Sequence, residues 1–393
     1  MIVREHYLQQ IRPFYESDLI KVITGIRRCG KSVIMNQIEE ELRRAGKRTL
    51  KINFEDRGTF RLIPDADALE ERVRGELGDD KLYVFLDEVQ VLKDWNAACR
   101  SLRLKNLSLF VTGSNSKLLS REFTRELSGR YVSFRVRPFV YRELQEYAHE
   151  LGREYSVSDY LVYGGFPKIA EYPGKAERLR YLNDLDAMIV AGGIMSRRGI
   201  RKTEIFRRLA DLVLLSSARI FSASSVQKSL KGDGFSCSLA TVMKYLSYLE
   251  EAYVVSSIPQ FSAKAKRELR YYRKLYDEDV AFSTIRQGGD RFDVTHNLEN
   301  IVWSELLFRG FSLSVFTKDG LEIDFLAEKD GRQYLIQVAC SIAEESTYRR
   351  EFALFGRIDQ SRRKIIITAD DFDYSTSTVR HIRLRDFLEG AEL

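Results

Sequence analysis

Residues 25–32 of the chain read GIRRCGKS, which has the residue types and spacing of a phosphate-binding loop. In the pattern GxxxxGK[ST], the glycines let backbone N–H groups converge on the β-phosphate of a nucleotide. Lys31 would reach the β- and γ-phosphate oxygens, and the Ser32 hydroxyl would bind Mg²⁺. We therefore expect ATP and Mg²⁺ as ligands. The predicted nucleotide-binding residues are Gly25, Ile26, Arg27, Arg28, Cys29, Gly30, Lys31, Ser32 and Val33.

A pair of carboxylates follows the apolar segment LYVFL at 82–86. Asp87 would hold Mg²⁺, through water or through Ser32, and Glu88 would orient and deprotonate an attacking water. Acidic residues often end apolar strands without any catalytic role. The phosphate loop earlier in the chain favours the functional interpretation here.

Two further positions are candidates for contact with the γ-phosphate. Ser114 and Asn115 follow the apolar segment LSLFVTG. One of them would hydrogen-bond the γ-phosphate or the catalytic water. The alternative is that they only terminate a strand. Arg130 follows a glycine just before another strand and would act as an arginine finger on a neighbouring subunit. A plain surface role for Arg130 is equally open. Arg27 and Arg28 either add charge beside the phosphates or face solvent.

The elements that must position these residues alternate between strand and helix from residue 19 to residue 139. Short apolar runs at 19–25, 49–54, 82–88 and 107–113 are separated by helical patterns at 31–44 and 66–77. This alternation predicts a parallel sheet with helices on both faces. The strand before residue 25 and the helix after residue 30 are the context that a phosphate loop requires.

Composition excludes several classes of protein. The chain has 393 residues, 44% of them hydrophobic, which predicts two or three folded domains and excludes a mainly disordered chain. The net charge of +6 is weak support for an anionic partner. Four widely spaced cysteines indicate neither a zinc ribbon nor a disulfide framework, and the first ten residues lack the apolar region of a signal peptide. We expect a cytoplasmic protein with no membrane contact.

Beyond residue 145 the patterns predict three more regions. Residues 146–215 are helical, and residues 216–285 have the helix, helix and strand order of a winged helix-turn-helix. Residues 286–393 form another α/β module. The segment Lys264 to Lys274 is densely basic with interleaved tyrosines, which predicts salt-dependent DNA contact, although a solvated charged face is the alternative.

The ordered motifs GIRRCGKS, LYVFLDE, TGSNSKLLS, LSGR, GGFP and EIDF resemble those of a widespread prokaryotic family. Its members join an AAA-type P-loop ATPase to a C-terminal domain of unknown function that resembles the PD-(D/E)XK nuclease fold. The resemblance implies an α/β protein with an N-terminal P-loop NTPase domain (1–145), the helical and winged-helix regions, and a restriction-nuclease-like α/β domain (286–393).

The nuclease resemblance implies carboxylates at Glu299, or alternatively Glu305, and at Asp324. The third motif would supply a carboxylate and a lysine, yet the chain has Gln337 and Ala339 at those positions. Because a water-positioning group is lost, we expect a tail that does not cleave nucleic acid.

The sequence thus predicts a Mg²⁺-dependent ATPase, assembled as a homo-oligomer, that couples nucleotide state to DNA binding. One alternative is a nucleotide-controlled signalling or scaffold ATPase that binds a protein partner. An ATP-gated nuclease is a third possibility. Salt-dependent DNA binding separates the first from the second, and metal-dependent cleavage separates the third from both.

Overall fold

The computed structural model describes residues 2–114, 127, 129–262, 267–288, 293–318, 320–356, 358 and 362–393, and leaves out the side chains of residues 262 and 267–272. The chain divides into two compact units. The first unit comprises Met1–Pro138 with Glu251–Tyr253, and the second comprises Phe139–Glu250 with Val254–Leu393.

The first unit contains one five-stranded sheet in which every pair of neighbouring strands is parallel. The strand order is β2-β3-β4-β1-β5. This finding confirms the predicted parallel-sheet α/β fold of the N-terminal part. The strands are β1 (Ile20–Thr24), β2 (Arg48–Asn53), β3 (Leu82–Asp87), β4 (Leu107–Gly113) and β5 (Tyr131–Arg135), and the helices are Glu5–Ile11, Lys31–Arg44, Arg57–Leu62, Ala66–Arg74 and Trp95–Leu102.

The three central strands of this sheet are buried along their whole length. Their near-continuous apolar sequences suit strands that helices cover on both faces. One face packs against the helices Ala66–Arg74 and Trp95–Leu102, which contribute Leu69, Val73 and Leu102 to the core. Because the strands are parallel, the carboxyl ends of β1, β3 and β4 meet at the same edge of the sheet.

Lys21 is a charged residue inside this apolar sheet. It is fully buried in β1, where its Nζ donates hydrogen bonds to Ser108 Oγ at 2.6 Å and to the Ser17 carbonyl at 3.0 Å. The ammonium also lies 4.7 Å from the centre of the Phe110 ring. Burial lowers the pKa of Lys21 to about 7 because it disfavours the charged form.

The second unit has a helical part followed by a mixed α/β part. Within the residues that the structure describes, no helix is long and apolar enough to cross a membrane. The helices of this unit are Tyr141–Glu150, Val157–Tyr163, Lys175–Asp186, the π-helix Ala187–Met195, Ser196–Arg198, Thr203–Leu214, Ala223–Gly232, Leu239–Glu251, Ala281–Arg286, Val294–Phe308, Glu345–Gly356 and Leu384–Glu389.

A single eight-stranded sheet extends through the mixed part, in the order β13-β12-β11-β10-β9-β7-β8-β6. It contains strands from the region predicted as a winged helix and from the region predicted as nuclease-like, joined by parallel pairing of β7 with β9. The predicted domain boundaries remain predictions. The strands are β6 (Arg219–Ile220), β7 (Val255–Ser262), β8 (Arg267–Asp277), β9 (Ser312–Lys318), β10 (Leu321–Lys329), β11 (Arg332–Ala339), β12 (Arg363–Thr368) and β13 (Arg380–Arg383).

The GGFP motif has a structural role in this unit. Gly164 has φ of +71°, and a Cβ there would lie 1.6 Å from Asp279 Oδ1. The buried Asp279 carboxylate accepts hydrogen bonds from the backbone N–H of Gly165 at 2.7 Å and of Ala281 at 2.9 Å. Only glycine provides both the left-handed backbone and the space for this close approach.

Candidate nucleotide site

The loop between β1 and the helix Lys31–Arg44 adopts backbone conformations that favour glycine. Gly25 has φ of +147°, and a Cβ there would lie 2.1 Å from the carbonyl oxygen of Val136. Arg28 and Gly30 also have positive φ, at 67° and 100°. The helix begins directly after Gly30, so its free N–H groups and the positive end of its dipole face the loop. This geometry suits the binding of a phosphate.

Lys31 and Ser32 meet the two strand-end carboxylates at this edge of the sheet. The Lys31 ammonium donates to the Ile26 carbonyl at 3.1 Å and lies 3.7 Å from Glu88 Oε1. The Ser32 hydroxyl donates to Asp87 Oδ1 at 3.1 Å. The structure therefore brings together four of the predicted residues from two separate segments of the chain.

Residues at the end of β4 hold the two carboxylates in place. The Thr112 hydroxyl donates to Asp87 Oδ1 and accepts a hydrogen bond from the Glu88 backbone N–H at 2.9 Å. The Ser114 hydroxyl donates to Glu88 Oε2 at 3.1 Å. Sequence reasoning gave Ser114 a role at the γ-phosphate, whereas here it contacts Glu88.

Glu88 differs from an ordinary surface carboxylate in its backbone and its ionisation. Its φ of +51° places it in the left-handed region, just after β3 ends. Burial tends to raise the pKa of Glu88, but the nearby Lys31 ammonium and the Gln90 and Ser114 hydrogen bonds outweigh it, so the net pKa is lowered. Glu88 is therefore a carboxylate at neutral pH.

A buried arginine near the start of the chain supports the loop from behind. The Arg4 Nη1 donates to the Cys29 carbonyl at 3.1 Å and to the Arg137 carbonyl at 3.0 Å. Its guanidinium carbon also lies 4.5 Å from the centre of the Tyr7 ring. Arg4 is 1% exposed. Sequence reasoning missed it because it belongs to no motif, and an arginine just before a short N-terminal helix gives no signal of burial.

The other predicted nucleotide-site residues have different surroundings. Ile26 and Cys29 are fully buried, and Arg27 forms an ion pair with Glu55 at 2.9 Å. Arg28 is exposed and Val33 is partly buried. Asn115 lies outside the described residues.

Arg130 is exposed and distant from the loop within the same chain. Its carbonyl accepts a hydrogen bond from the N–H of Ile20, the first residue of β1. The phosphate loop follows the last residue of β1, so Arg130 lies at the opposite edge of the sheet. It cannot contact its own loop, and the prediction of a role on a neighbouring subunit remains a prediction.

The residues predicted by the nuclease resemblance form a separate cluster in the second unit. Glu299 and Asp324 both contact the Lys274 ammonium, at 2.7 Å and 2.9 Å. Burial and the neighbouring Asp324 raise the pKa of Glu299, against the opposing effect of Lys274. Glu305 instead pairs with Arg309 at 2.7 Å. Among the described residues, no group of three or more His, Cys, Asp or Glu side chains is arranged to hold a metal ion.

The prediction that Lys274 contacts DNA is wrong. Its side chain is 4% exposed and surrounded by carboxylates, so it cannot reach a phosphate of DNA. Arg273, next to it, is partly buried and pairs with Glu250 at 3.1 Å. Lys264 and Lys266 lie outside the described residues, as do the side chains of 267–272.

Comparison with known proteins identifies two regions of the chain. Residues 17–145 match the family described as AAA domain, and residues 154–286 match a domain of unknown function, DUF8612. An uncharacterized protein of Haemophilus influenzae is 32% identical over 385 residues, covering 95% of this chain and 94% of the relative. The chain belongs to the same family as this protein.

Other known proteins are also similar to this chain. An uncharacterized protein of Methanocaldococcus jannaschii is 28% identical over 378 residues, covering 90% of this chain and 82% of the relative. The solved structure of a Walker-type ATPase from Pyrococcus abyssi has 15% identity and a TM-score of 0.49, covering 72% of this chain and 95% of that one. The family match confirms the predicted AAA-type domain in the N-terminal part of the chain. The domain of unknown function matches the middle of the chain, and the C-terminal nuclease-like domain remains a prediction.

Proposed function

We propose that the chain binds and hydrolyses ATP with Mg²⁺ at the loop 25–32. The observation that carries this proposal is the convergence of Lys31, Ser32, Asp87 and Glu88 at one edge of the parallel sheet. A cation, a hydroxyl and two carboxylates in this arrangement match the parts that phosphoryl transfer requires.

The contact between Lys31 and Glu88 gives each residue a role that depends on the nucleotide. The Lys31 Nζ lies 3.7 Å from Glu88 Oε1. A bound triphosphate would attract the Lys31 ammonium, and Glu88 would lose the charge that lowers its pKa. A carboxylate with a higher pKa accepts a proton from water more readily. Phosphate binding therefore prepares the base.

The Ser32 hydroxyl and the Asp87 carboxylate would hold Mg²⁺. Hydroxyl and carboxylate oxygens are the hard ligands that this ion prefers, and the two side chains are already 3.1 Å apart. When bound, the ion would neutralise charge on the β- and γ-phosphates.

The test is ATP binding and phosphate release by the full chain and by Lys31→Ala. We expect Lys31→Ala to lose both activities because the phosphates lose their main cationic contact. The matched control is Lys93→Ala, since Lys93 is an 89% exposed lysine of the same unit. Hydrolysis by Lys31→Ala at the rate of the control would refute the assigned site.

We further propose that the nucleotide state is coupled to DNA binding through residues 203–277. The order of elements, with a helix, the short strand β6, two helices and the β7-β8 hairpin, supports a winged helix. Lys228, Lys231 and Lys244 are exposed on the two later helices. Lys264, Lys266, Arg267 and Arg270 remain predicted contacts.

The DNA proposal is tested by the salt dependence of duplex binding, with and without ATP. Each phosphate contact that is lost should flatten the slope of log K against log[salt] by about 0.9. Neutralising Lys266, Arg267 and Arg270 together should therefore reduce the magnitude of this slope by about two to three. Binding that depends neither on salt nor on these residues would contradict the proposal.

One observation favours the alternative of a protein partner. Leu239 and Met243 stand one helical turn apart on the helix Leu239–Glu251 and are 46% and 40% exposed. Apolar side chains suit a protein surface better than the edges of bases. Met243→Glu separates the two functions, because an added negative charge should weaken DNA binding if this helix enters a groove and leave it unchanged otherwise.

We also propose that residues 294–368 have the nuclease-like fold without cleaving DNA. The order helix, β9, β10, β11, helix, β12 supports the fold, with β11 and β12 parallel. Gln337 and Ala339 stand where the mechanism needs a carboxylate and a lysine. Cleavage of plasmid DNA in Mg²⁺ that disappears in Asp324→Ala would favour the ATP-gated nuclease instead.

A further inference from the structure

The ammonium of Lys274 contacts three carboxylates, the buried Glu299 and Asp324 and the partly exposed Glu322. In addition to the two contacts described above, its Nζ is 3.4 Å from Glu322 Oε1. A lysine ammonium has three N–H donors and no acceptor. Three carboxylate oxygens therefore satisfy it fully.

Further hydrogen bonds from the protein hold two of these carboxylates. Asp324 Oδ2 accepts a hydrogen bond from the Val338 N–H at 3.0 Å, and the Tyr276 hydroxyl donates to Glu299 Oε1 at 2.6 Å. The Tyr276 ring stacks on the Trp303 indole with 5.0 Å between their centres. These contacts fix the carboxylates around an ammonium.

The same residues do not fit a magnesium ion. Mg²⁺ requires near-octahedral coordination by oxygens at about 2.0–2.1 Å, and it usually keeps several waters. The Gln337 side-chain oxygen accepts a hydrogen bond from the Asp324 N–H at 3.3 Å, and Ala339 offers no ligand. The Lys274 ammonium fills the position of the cation. The Gln337 oxygen, which could otherwise complete a metal site, is engaged by the Asp324 N–H.

Lys274 comes from β8, outside the region 286–393 to which the nuclease resemblance applies. Its partners lie on the helix Val294–Phe308 and on β10. Two buried carboxylates without a counter-charge repel each other and have lost their hydration. Leaving them in the interior without a cation would therefore strongly destabilise the folded chain. The lysine therefore supplies the charge that lets these carboxylates remain in the interior.

We propose that Lys274 is a resident cation that occupies the position of the divalent metal in the nuclease-like site. The site then neither needs nor binds Mg²⁺, and its carboxylates fasten β8 to the nuclease-like segment. This inference rests on the proposed nuclease-like arrangement and does not depend on ATP hydrolysis.

The experiment measures Mn²⁺ binding to the full chain without nucleotide, by electron paramagnetic resonance of the free ion. The wild-type chain should bind no Mn²⁺ through Asp324, so Asp324→Asn should leave its Mn²⁺ binding unchanged. Lys274→Ala should bind Mn²⁺ at least about tenfold more tightly than the wild type, and Mn²⁺ should raise its Tm. The double variant Lys274→Ala/Asp324→Asn should lose this gain.

Lys364→Ala is the matched control. Lys364 is a buried lysine of the same unit whose Nζ donates to the carbonyls of Phe355 at 2.9 Å and Ile358 at 3.0 Å. It has no carboxylate among these partners, so its removal should create no metal site. The proposal is overturned if the wild type binds Mn²⁺ through Asp324, or if folded Lys274→Ala binds none.

Folding of the variant gives a second readout. If Lys274→Ala does not fold, Lys274→Met/Glu299→Gln removes the lysine and one negative charge together. Recovery of a cooperative unfolding transition in this double variant supports the assigned charge balance, and failure to recover refutes it. Because no nucleotide is present, neither result depends on whether the ATPase proposal is correct.

Discussion

At the scale of single residues, the charge of Glu88 is controlled by Lys31 and by the hydroxyl of Ser114. These contacts, together with the hydrogen bond from Gln90, lower the pKa of Glu88. The carboxylate is thus ionised and held in place. The proposed role of Glu88 is to accept a proton from the attacking water. Replacing its carboxylate should therefore leave the contacts to the phosphates intact.

We expect Glu88→Gln to bind ATP within about threefold of the wild type and to lose turnover by about 10²-fold or more. Glutamine keeps the size of the side chain and its contact with Ser114 but cannot accept the proton. Nucleotide titration and phosphate release measure the two effects separately, with the exposed Glu71→Gln as control. Undiminished turnover would exclude Glu88 as the base.

Arg4 should affect the loop without contacting the nucleotide. Arg4→Met leaves the Cys29 and Arg137 carbonyls buried without their donor, which should lower the free energy of unfolding by about 2–4 kcal/mol. ATP affinity should fall because the loop is less well fixed. Urea unfolding and nucleotide titration test this, and Arg4→Lys should restore part of both because lysine still donates to a carbonyl. Equal affinity in Arg4→Met and wild type would show that the loop keeps its shape unaided.

The sequence predicts the parts of the site that follow motifs but misses residues positioned by distant contacts. The loop and the strand-end carboxylates were predictable because glycine spacing and apolar runs are local signals. Arg4 and Lys274 contact partners that are far away along the chain, so no local pattern reveals them.

At the scale of elements, β1 connects the phosphate loop to a buried lysine. Lys21 is protonated in the unfolded chain below pH 10.5 or so, but its folded-state pKa is about 7. Between these two values the unfolded chain binds more protons than the folded chain. The free energy of unfolding should therefore rise with pH across this window. As the pH falls through 7, the buried Lys21 amine becomes protonated and this contribution is lost.

The expected rise from pH 7 to pH 10 is several kcal/mol, up to about 4, for this group. Lys21→Met should remove this contribution, because methionine fills a similar volume without titrating. Urea unfolding at several pH values measures the difference between the two chains, with Lys47→Met as the exposed control. Identical pH slopes in wild type and Lys21→Met would show that Lys21 is not the source.

The pattern of alternating strands and helices was sufficient to predict the sheet of the first unit. It was not sufficient for the second unit, where β7 pairs with β9 about 55 residues later. Strand pairing over such separations depends on side-chain packing and not on a local signal. The sequence suggested separate modules at 216–285 and 286–393, whereas the strands of both belong to one sheet.

At the scale of the whole molecule, the position of Arg130 links ATP hydrolysis to the assembly of several copies of the chain. It lies at the opposite edge of the sheet from the loop of its own chain. If it acts as an arginine finger, it acts on another copy.

Arg130→Ala and Lys31→Ala should each be inactive alone and should regain part of the activity when mixed. In a mixed interface, the intact loop of one chain meets the intact arginine of the other. Phosphate release across a dilution series, with oligomeric mass measured in parallel, provides the readout. A monomer that hydrolyses ATP at the full rate would rule out this role.

The left-handed backbone of Glu88 has a cost in folding free energy. A residue with a Cβ in that conformation is disfavoured by roughly 1–2 kcal/mol, and glycine or asparagine tolerates it better. For folding alone, either of those two residues would suit position 88 better than glutamate. A strained, charged side chain at the end of a buried strand is what one expects where a residue serves chemistry at some expense of stability.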